Sequence, residues 1–332
     1  MTTPLPLTDS FGRRLDYLRI SLTERCDLRC VYCRPRDDAS PVGADVLSAE
    51  EVIAISRAAL RLGVRRIRLT GGEPLLRDDL EGIIARLRQL AGLEDLSLTT
   101  NGQALAARAD SLAAAGLMRV NVSVDSLDPG VYAATTGGGH LRAVRRGLEA
   151  ALAAGLNPVK ANVVLNSPAA SERDGLGAFV ELVERQPIHV RFIEAMPVCP
   201  HVVESSGVGC LPAQRVLDEL AKRAELTPVP GPEGGGPARY YRLNGCLGSI
   251  GIITPISEPF CARCNRLRVS ARGELRPCLF SSTALPLLPA LRGPKPTEGL
   301  GRLLRRAAAC KPQHYHDIAA SAGIPAMHAI GG

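Results

Sequence analysis

Short β-like runs alternate with stretches of helical spacing over residues 17–195, and this alternation constrains the fold more than any other feature of the chain. Strands that alternate with helices are typical of parallel βα units. The sequence therefore predicts an α/β fold, a partial (βα)6 barrel of the TIM type, with an open doubly wound sheet as the alternative. The predicted strands are Tyr17–Thr23, Arg65–Thr70, Leu96–Thr100, Arg119–Asp125, Pro158–Leu165 and His189–Ala195, and the predicted helices cover residues 48–62, 79–91, 103–115, 140–154 and 174–186.

One face of the predicted strands is polar. Alternate side chains of a strand point to opposite faces, so the apolar set that includes Leu18 and Ile67 is expected to pack against the helices. The polar set is Arg19, Ser21, Thr23, Arg66, Arg68, Thr70, Ser97, Thr99, Asn101, Asn121, Ser123, Asp125, Lys160, Asn162 and Arg191. Burying such groups without partners costs about 1–3 kcal/mol each. We interpret this face as the wall of a cavity for a large anionic ligand; a solvated sheet face is the alternative, although parallel sheets are usually covered on both sides.

The regular alternation stops near residue 200. Thr227–Arg239 is a loop rich in proline and glycine, Leu285–Pro296 is interrupted by prolines, and a β-rich run, Tyr240–Ser270, lies between them. We expect a barrel in residues 1–225 and a C-terminal region in residues 226–332. The C-terminal region is predicted to close the sheet rather than to fold as an independent domain.

The composition disfavours several classes of partner. A net charge of +7, from 40 Lys and Arg against 33 Asp and Glu, is spread over the chain and suits an anionic small molecule. The chain has no Trp, 6 Tyr and 5 Phe, so the aromatic platforms that stack on nucleic-acid bases are scarce. No window approaches the ~18 apolar residues of a membrane span, and residues 1–6 carry no secretory pattern. We therefore expect a cytoplasmic protein, and metal ligands rather than disulfides among its 10 cysteines.

Three cysteines follow the first predicted strand in a C-x3-C-x2-C loop, and they are Cys26, Cys30 and Cys33. Three closely spaced thiolates can ligate three irons of a [4Fe–4S] cluster and leave the fourth iron open for an exogenous ligand. A three-sulfur zinc site with a distant fourth ligand is the alternative, although zinc-binding cysteines commonly occur as two pairs. The position of the loop favours the cluster, because βα-barrel enzymes place their chemistry at the carboxyl ends of the strands.

A second group of cysteines comprises Cys261, Cys264 and Cys278. It again supplies three sulfurs, and a structural zinc completed by a histidine such as His314 is the competing interpretation. Arg266 and Arg268 follow Cys264 at strand spacing and share one face. Two guanidinium groups suit phosphate oxygens, which they bind bidentately; a solvated basic edge is the alternative. The other cysteines form no spacing pattern and are expected to be small buried hydrophobic residues, namely Cys199, Cys210, Cys246 and Cys310.

The first cysteine loop, with Tyr32 before its last cysteine, resembles that of the radical S-adenosylmethionine (SAM) superfamily. The second predicted strand ends in Thr70-Gly71-Gly72-Glu73-Pro74, which is similar to the GGEP element beside the SAM amino group in that superfamily. Alone, this segment could equally be a helix-initiating turn, but glycine also lets a ligand approach the backbone closely. The resemblance implies that the open iron binds the amino and carboxylate groups of SAM. One electron then cleaves SAM to methionine and a 5′-deoxyadenosyl radical.

The two cysteine groups, the GGEP element, the run Asn265-Arg266-Leu267-Arg268 and the terminal Gly331-Gly332 together resemble the GTP 3′,8-cyclase family of molybdenum cofactor biosynthesis. This resemblance extends from Tyr17 to the end of the chain. It implies two [4Fe–4S] clusters, with the SAM cluster on Cys26, Cys30 and Cys33 and an auxiliary cluster on Cys261, Cys264 and Cys278, whose open iron receives the guanine of GTP. The residues around SAM would be Tyr32, Gly72, Ser123 and Met196. The residues that contact GTP would be Arg19, Arg68, Thr99, Lys160, Arg266 and Arg268, with Arg191 as a further phosphate ligand. Most of these residues lie on the polar strand face.

The resemblance also implies the reaction and its partners. The adenosyl radical would abstract hydrogen from C3′ of the GTP ribose, and the carbon radical would attack C8 of guanine. The product, 3′,8-cyclo-7,8-dihydro-GTP, would pass to a cyclic pyranopterin monophosphate synthase, and a separate electron donor would supply the reducing electron. Gly331-Gly332 is similar to the family's tail, which reaches the active site, whereas a frayed terminus is the usual alternative. A homodimer is compatible with the sequence, and neither nucleic acid nor a membrane is an expected partner.

Two segments depart from the family pattern. Val198-Cys199-Pro200 follows Met196-Pro197 in place of a glycine-containing turn, and Leu285–Pro296 is irregular. One rival function is a peptide-modifying radical SAM enzyme, which often carries auxiliary clusters in a C-terminal extension. Another is a non-catalytic iron–sulfur or zinc protein. Because only three cysteines cluster in the C-terminal region and the polar face carries cations that suit phosphate, the sequence favours the nucleotide enzyme.

Overall fold

Six parallel strands form the centre of the molecule. The computed structural model describes residues 6–33, 46–165, 173–196, 212–234, 236–318 and 327–331. The central strands pair in chain order, each parallel to the next, and they are β1 (Tyr17–Ser21), β2 (Arg66–Thr70), β3 (Asp95–Thr100), β4 (Arg119–Ser123), β5 (Val159–Leu165) and β6 (Ile188–Glu194). The helices between them are α1 (Ala49–Arg61), α2 (Leu80–Arg88), α3 (Leu105–Ala114), α4 (Pro129–Thr136), α5 (Leu141–Ala153) and α6 (Arg173–Arg185). The predicted partial barrel of βα units is confirmed.

The C-terminal region adds strands to both edges of this central sheet. Helix α7 (Ala213–Ala221) precedes the predicted boundary at residue 225. The C-terminal region contributes β7 (Leu226–Val229), β8 (Arg239–Leu243), β9 (Ser249–Ile253), β10 (Arg266–Val269), β11 (Glu274–Arg276), β12 (Leu285–Pro286), α8 (Leu288–Leu291), α9 (Pro296–Ala309) and α10 (Met327–Ile330). The order of the 12-stranded sheet is β12-β11-β10-β1-β2-β3-β4-β5-β6-β9-β8-β7. Strand β10 is parallel to β1, and β9 is parallel to β6. The irregular segment Leu285–Pro296 contains the short strand β12 and one turn of helix, α8. The boundary predicted at residue 225 lies directly before the first residue of β7.

The apolar face of the strands forms the core, as strand parity predicts. Leu18, Ile20, Ile67 and Leu69 are fully buried and belong to one hydrophobic cluster with the helices. Helix α1 begins where its sequence predicts, because the Ser48 side chain accepts a hydrogen bond from the Glu51 amide while the Glu51 carboxylate accepts one from the Ser48 amide. The polar residues are therefore directed to the opposite face of the sheet.

The sequence prediction differs from the structure in a few places. Thr23 and Asp125 lie two residues beyond the ends of β1 and β4, in the loops that follow these strands. Helix α4 was not predicted, because it is only 8 residues long and gives too little of an apolar repeat. Within the described part of the chain, the structure contains no helix long and apolar enough to cross a membrane.

Candidate functional site

The first cysteine loop follows β1 and is held by backbone hydrogen bonds to the unpredicted helix α4. The amide of Arg29 donates to the carbonyl of Thr136 at 2.9 Å, and the amide of Val31 donates to the carbonyl of Thr135 at 3.0 Å. The amide of Cys33 donates to the carbonyl of Cys30 at 3.0 Å, which closes the loop into a turn. The three sulfurs are thus presented by a loop whose backbone is anchored outside the sheet.

The GGEP element packs against the start of this cysteine loop. The amide of Gly72 donates to the carbonyl of Thr23, and the amide of Glu73 donates to the carbonyl of Arg25, each at 2.7 Å. A Cβ at Gly72 would lie 2.3 Å from the Arg25 carbonyl oxygen, closer than any side chain tolerates. The sequence interpretation attributed the glycine to a ligand's approach. The structure shows that the chain's own cysteine loop already requires it.

Glu73 joins the GGEP element to the end of β3. Its carboxylate accepts hydrogen bonds from the Thr100 hydroxyl at 2.7 Å, the Asn101 amide at 2.6 Å and the Leu75 amide at 2.9 Å. Burial outweighs these hydrogen bonds and raises the pKa of Glu73 to about 7. The carboxyl ends of β1, β2 and β3 are therefore tied together at the rim that carries Cys26, Cys30 and Cys33.

Tyr32 crosses from the cysteine loop to the end of β4. Its hydroxyl donates a 2.7 Å hydrogen bond to Oδ2 of Asp125, whose Oδ1 accepts from the amide of Val164 at 3.0 Å. Burial raises the pKa of Asp125 to about 6, and desolvation together with the Asp125 charge raises the pKa of Tyr32 well above its usual value. Asp125 therefore fixes the orientation of the aromatic residue that the family resemblance places beside SAM.

The thiols of the first group lie in a desolvated environment. Burial raises the pKa of Cys26 to about 11 and raises that of Cys30 well above its usual value. Binding of iron must therefore displace protons from these sulfurs.

The second cysteine group lies where β10 begins and β11 ends. Cys261 starts a short 3-10 turn (Cys261–Arg263), Cys264 precedes β10, and Cys278 follows β11. Burial raises the pKa of Cys261. Burial acts in the same direction on Cys264, but the charges of Lys311 and Arg266 outweigh it and lower the pKa of that thiol to about 7.

Two cations hold the segments of the second group in place. Arg13 donates to the carbonyl of Cys261 at 2.7 Å and to that of Pro312 at 2.6 Å, and its own charge is paired with Asp9 at 2.5 Å. Lys311 is buried and donates to the carbonyls of Arg266 and Pro277. Neither Arg13 nor Lys311 was predicted as a site residue, because only the tertiary fold brings them to these cysteines.

A cationic chamber lies between the two cysteine groups. Its arginines are Arg19, Arg68, Arg191, Arg266 and Arg268. Strand register sets Arg19 opposite both Arg268 and Arg68. Burial lowers the pKa of Arg68 and of Arg268 to about 10, and burial together with the Arg268 charge lowers that of Arg19 well below its usual value. Three neighbouring guanidinium groups of like charge are thus brought close together in a desolvated site.

Several donors in this chamber lack a partner. The Nε atoms of Arg19 and Arg266 and the hydroxyl of Tyr17 are buried without a hydrogen bond to any described residue. Arg191, in contrast, donates to the amide oxygens of Asn162 at 2.8 Å and Asn121 at 2.6 Å. Buried polar atoms normally have partners, so these donors are available to a ligand that carries hydrogen-bond acceptors. Tyr17 was missed by the sequence analysis, although its spacing of two residues from Arg19 places it on the same face.

The proline- and glycine-rich loop after β7 lies against two further cations. Lys160 donates from Nζ to the carbonyl of Glu233 at 2.8 Å, and Arg119 donates to the carbonyl of Gly234 at 3.2 Å while it also binds the carboxylate of Asp95. Burial, with the charges of Arg191 and Arg119, lowers the pKa of Lys160 to about 6. This loop, which the sequence predicts only as an irregular connection, therefore forms part of the site.

One cavity brings the predicted site residues together. Its volume is about 290 Å³, and all six cysteines of the two groups lie on its wall. The other predicted residues on the wall are Tyr32, Gly72, Ser123, Met196, Arg19, Arg68, Thr99, Arg191, Arg266 and Arg268. Lys160 is the one predicted residue that the described cavity wall does not include, and its ammonium is bound to the Glu233 carbonyl.

The donor set suits a cluster better than a single ion. Among the residues that the structure describes, no three His, Cys, Asp or Glu side chains are arranged to hold one metal ion. A four-iron cluster is ligated by cysteines on different iron atoms, so its sulfurs need not converge on one point. The zinc alternatives thus find no single-ion site in the described residues, whereas three cysteines on one cavity wall fit the cluster at either end.

The remaining cysteine predictions have mixed outcomes. Cys246 is buried, as expected, but the prediction is wrong for Cys310, which is exposed because it lies at the C-terminal end of α9. Cys199 and Cys210 lie outside the described residues, as do Val198–Pro200 and Gly332.

Two family models match successive parts of the chain. The Radical SAM superfamily model matches residues 20–166, and the Molybdenum Cofactor Synthesis C model matches residues 188–317. The GTP 3′,8-cyclase of Pelotomaculum thermopropionicum is 43% identical to this chain over 328 residues, which cover 98% of this chain and 100% of the relative. That of Moorella thermoacetica is 42% identical over 327 residues, again covering 98% and 100%.

Solved structures support the fold. Streptococcus suis SuiB bound to S-adenosylmethionine matches with a TM-score of 0.59 at 16% identity, over 90% of this chain and 68% of that chain. At this level of identity the similarity concerns the fold alone.

Proposed function

This chain belongs to the GTP 3′,8-cyclase family, and from that membership we propose a division of labour among its residues. It is a radical SAM enzyme that converts GTP to 3′,8-cyclo-7,8-dihydro-GTP in the first step of molybdenum cofactor biosynthesis. It uses SAM and two [4Fe–4S] clusters. When bound, the SAM cluster and SAM supply the one-electron chemistry that activates C3′ of the GTP ribose.

The observation that carries the residue assignments is the position of the cationic chamber. The chamber shares one cavity wall with both cysteine groups, and it holds buried cationic donors that lack partners among the described residues. A triphosphate bound there would satisfy these donors through charge-assisted, bidentate hydrogen bonds. A nucleotide anchored in this way can reach toward either cysteine group.

We assign the SAM end of the cavity to the loop after β1. Cys26, Cys30 and Cys33 would ligate the SAM cluster, and three thiolates leave one iron open for SAM. The residues around SAM would be Tyr32, Gly72, Ser123 and Met196. Tyr32 is held by Asp125 at 2.7 Å, so the chain fixes this residue before SAM binds. Orientation of this kind is the protein's contribution to cofactor chemistry.

We assign the other end to the segments around β10 and β11. Cys261, Cys264 and Cys278 would ligate the auxiliary cluster, whose open iron would receive the guanine of GTP. Arg19, Arg68, Thr99, Arg266 and Arg268 would bind GTP, together with Lys160 and Arg191. Their role is placement, because the C3′ hydrogen must face the SAM side while C8 of guanine remains within reach of C3′.

We propose that the two parts of the chain on either side of residue 225 have different functions. Residues 1–225 would supply the SAM part of the cavity, and residues 226–332 the auxiliary cysteines together with Arg266 and Arg268. We further propose that the product passes to a cyclic pyranopterin monophosphate synthase, that a separate donor supplies electrons, and that a homodimer is compatible with this site. A cytoplasmic location would keep the six thiols reduced.

Iron content and GTP binding test this proposal together. After anaerobic reconstitution, the wild type should hold about eight Fe per chain, and replacing either cysteine triplet by alanine should leave about four. One or two Zn in place of iron would instead favour the non-catalytic scaffold. Tight GTP binding that depends on Arg268 would support the nucleotide substrate, whereas indifference to GTP would favour a peptide-modifying enzyme.

A further inference from the structure

Lys311 is a buried cation that directly follows Cys310, the C-terminal cap of α9. Its side chain is almost inaccessible, with 3% of the residue exposed. Its ammonium donates to the carbonyl of Arg266 at 3.0 Å and to the carbonyl of Pro277 at 2.7 Å, and its charge lowers the pKa of the Cys264 thiol.

The acceptors of Lys311 belong to the segments of two different auxiliary cysteines. Arg266 follows Cys264 by two residues, and Pro277 directly precedes Cys278. One ammonium therefore joins two segments that are otherwise connected through β10, β11 and the turn between them. Arg13 holds the third cysteine segment, because it bonds to the carbonyls of both Cys261 and Pro312, the residue after Lys311.

Arg13 and Lys311 differ in whether a carboxylate pairs with their positive charge. The charge of Arg13 is paired with Asp9 at 2.5 Å. Among the described residues, no carboxylate forms an ion pair with Lys311, whose hydrogen-bond acceptors are the two neutral carbonyls. Its positive charge is therefore directed at the auxiliary site. Reduction adds negative charge to an iron–sulfur cluster, so a nearby unpaired cation stabilises the reduced form and raises the reduction potential.

We propose that Lys311 is a positioning residue of the auxiliary cluster: it ties the Cys264 and Cys278 segments together and raises the reduction potential of the cluster they hold. This inference rests on the assignment of Cys261, Cys264 and Cys278 under the proposed function. Hydrogen bonds and charge outside the ligand set are known to tune metal sites in this manner.

The test measures the midpoint potential of the auxiliary cluster by electron paramagnetic resonance during a redox titration. The background is the full-length Cys30→Ala protein, so that the auxiliary cluster can be observed without the SAM cluster. Lys311→Met removes the charge and keeps most of the stem, and Lys311→Arg keeps the charge. Lys295→Met is the matched control, because Lys295 caps the opposite end of the same helix and its side chain is 74% exposed.

We expect Lys311→Met to move the midpoint potential to more negative values, while Lys311→Arg and Lys295→Met stay close to the parent protein. If Lys311→Met takes up no iron, Lys311→Arg must restore both the iron content and the parent potential. A Lys311→Met protein with parental iron content and potential would overturn the inference, as would an equal loss of iron in the Lys311→Arg protein. A Cys30→Ala parent that holds no four-iron cluster would instead overturn the assignment of the auxiliary cysteines.

Discussion

Arg268 donates a 2.7 Å hydrogen bond from Nη1 to the carbonyl oxygen of Gly331, 63 residues further along the chain. Gly331 is buried, with a φ of 69°, and a Cβ there would lie 2.6 Å from the Thr70 side chain and 3.1 Å from that of Ser21. The C-terminal turn therefore packs against the ends of β1 and β2 and is bound to a cation of the chamber. This contact agrees with the sequence-based expectation that the glycine tail reaches the site.

Gly331→Ala should displace the tail from Arg268. The left-handed backbone and the 2.6 Å approach to Thr70 both oppose a Cβ at this position. We expect the ratio of 5′-deoxyadenosine to cyclised product to rise severalfold, while the iron content stays unchanged. Chromatography of both products measures the ratio, and Gly301→Ala, where the nearest atom to the new Cβ is in the Arg305 side chain at 3.6 Å, is the control. A parental ratio in Gly331→Ala would show that the tail does not take part.

Arg268→Ala should weaken GTP binding. A charge-assisted hydrogen bond is worth about 1.5–3 kcal/mol, which corresponds to a rise of about 10- to 150-fold in the dissociation constant. Isothermal titration calorimetry under anaerobic conditions measures it. Arg185→Ala is the control, because the Arg185 side chain is 78% exposed and its ion pair with Glu181 is 3.9 Å long. The interpretation of the cavity wall fails if the Arg268→Ala variant binds GTP as tightly as the wild type.

Lys160 should make GTP binding dependent on pH. Its pKa in the free protein is lowered to about 6, chiefly by burial, so its amine is mostly neutral at pH 7 to 8. A bound phosphate favours the ammonium and raises this pKa, so binding takes up a proton and GTP affinity falls as the pH rises above about 6. Calorimetry in buffers of different ionisation enthalpy counts the protons. We expect Lys160→Met to bind GTP more weakly and to take up fewer protons; equal uptake in both proteins would contradict the assignment.

The two cysteine groups should fail in different ways. Cys30→Ala should abolish SAM cleavage, because it removes a ligand on the SAM side. Cys264→Ala should retain some uncoupled SAM cleavage but lose the cyclised product, because guanine is no longer held. Mass spectrometry of 5′-deoxyadenosine and of a GTP isomer distinguishes these outcomes, with Cys246→Ala, a buried cysteine outside both groups, as the control. The division of labour is wrong if the two variants show the reverse pattern.

Strand parity predicted much of the site because it is a local property. Alternation along β1, β2 and β6 is enough to place Arg19, Arg68 and Arg191 on one face, and parallel pairing then brings that face to one cavity. Spacing identified the cysteine groups for the same reason. The bounds of α1 were predicted to within one residue, because Ser48 and Glu51 form a cap that depends only on neighbouring residues.

The features that the sequence did not predict depend on contacts between distant segments. Lys311 reaches carbonyls 45 and 34 residues away in the chain, and no periodic pattern records such contacts. The same is true of Arg13, which bonds to a carbonyl 248 residues away. Helix α4 anchors the first cysteine loop through backbone hydrogen bonds. It is too short, and its apolar residues repeat too weakly, to be recognised from the sequence.

Anaerobic turnover with GTP deuterated at C3′ tests the central claim most directly. The reconstituted enzyme is incubated with SAM, a reductant and the labelled GTP. Mass spectrometry then measures the masses of 5′-deoxyadenosine and of the nucleotide product. We predict that 5′-deoxyadenosine gains one deuterium and that a cyclised isomer of GTP forms with it. Cleavage of SAM without deuterium transfer and without a GTP isomer, by protein that holds both clusters, would contradict the account.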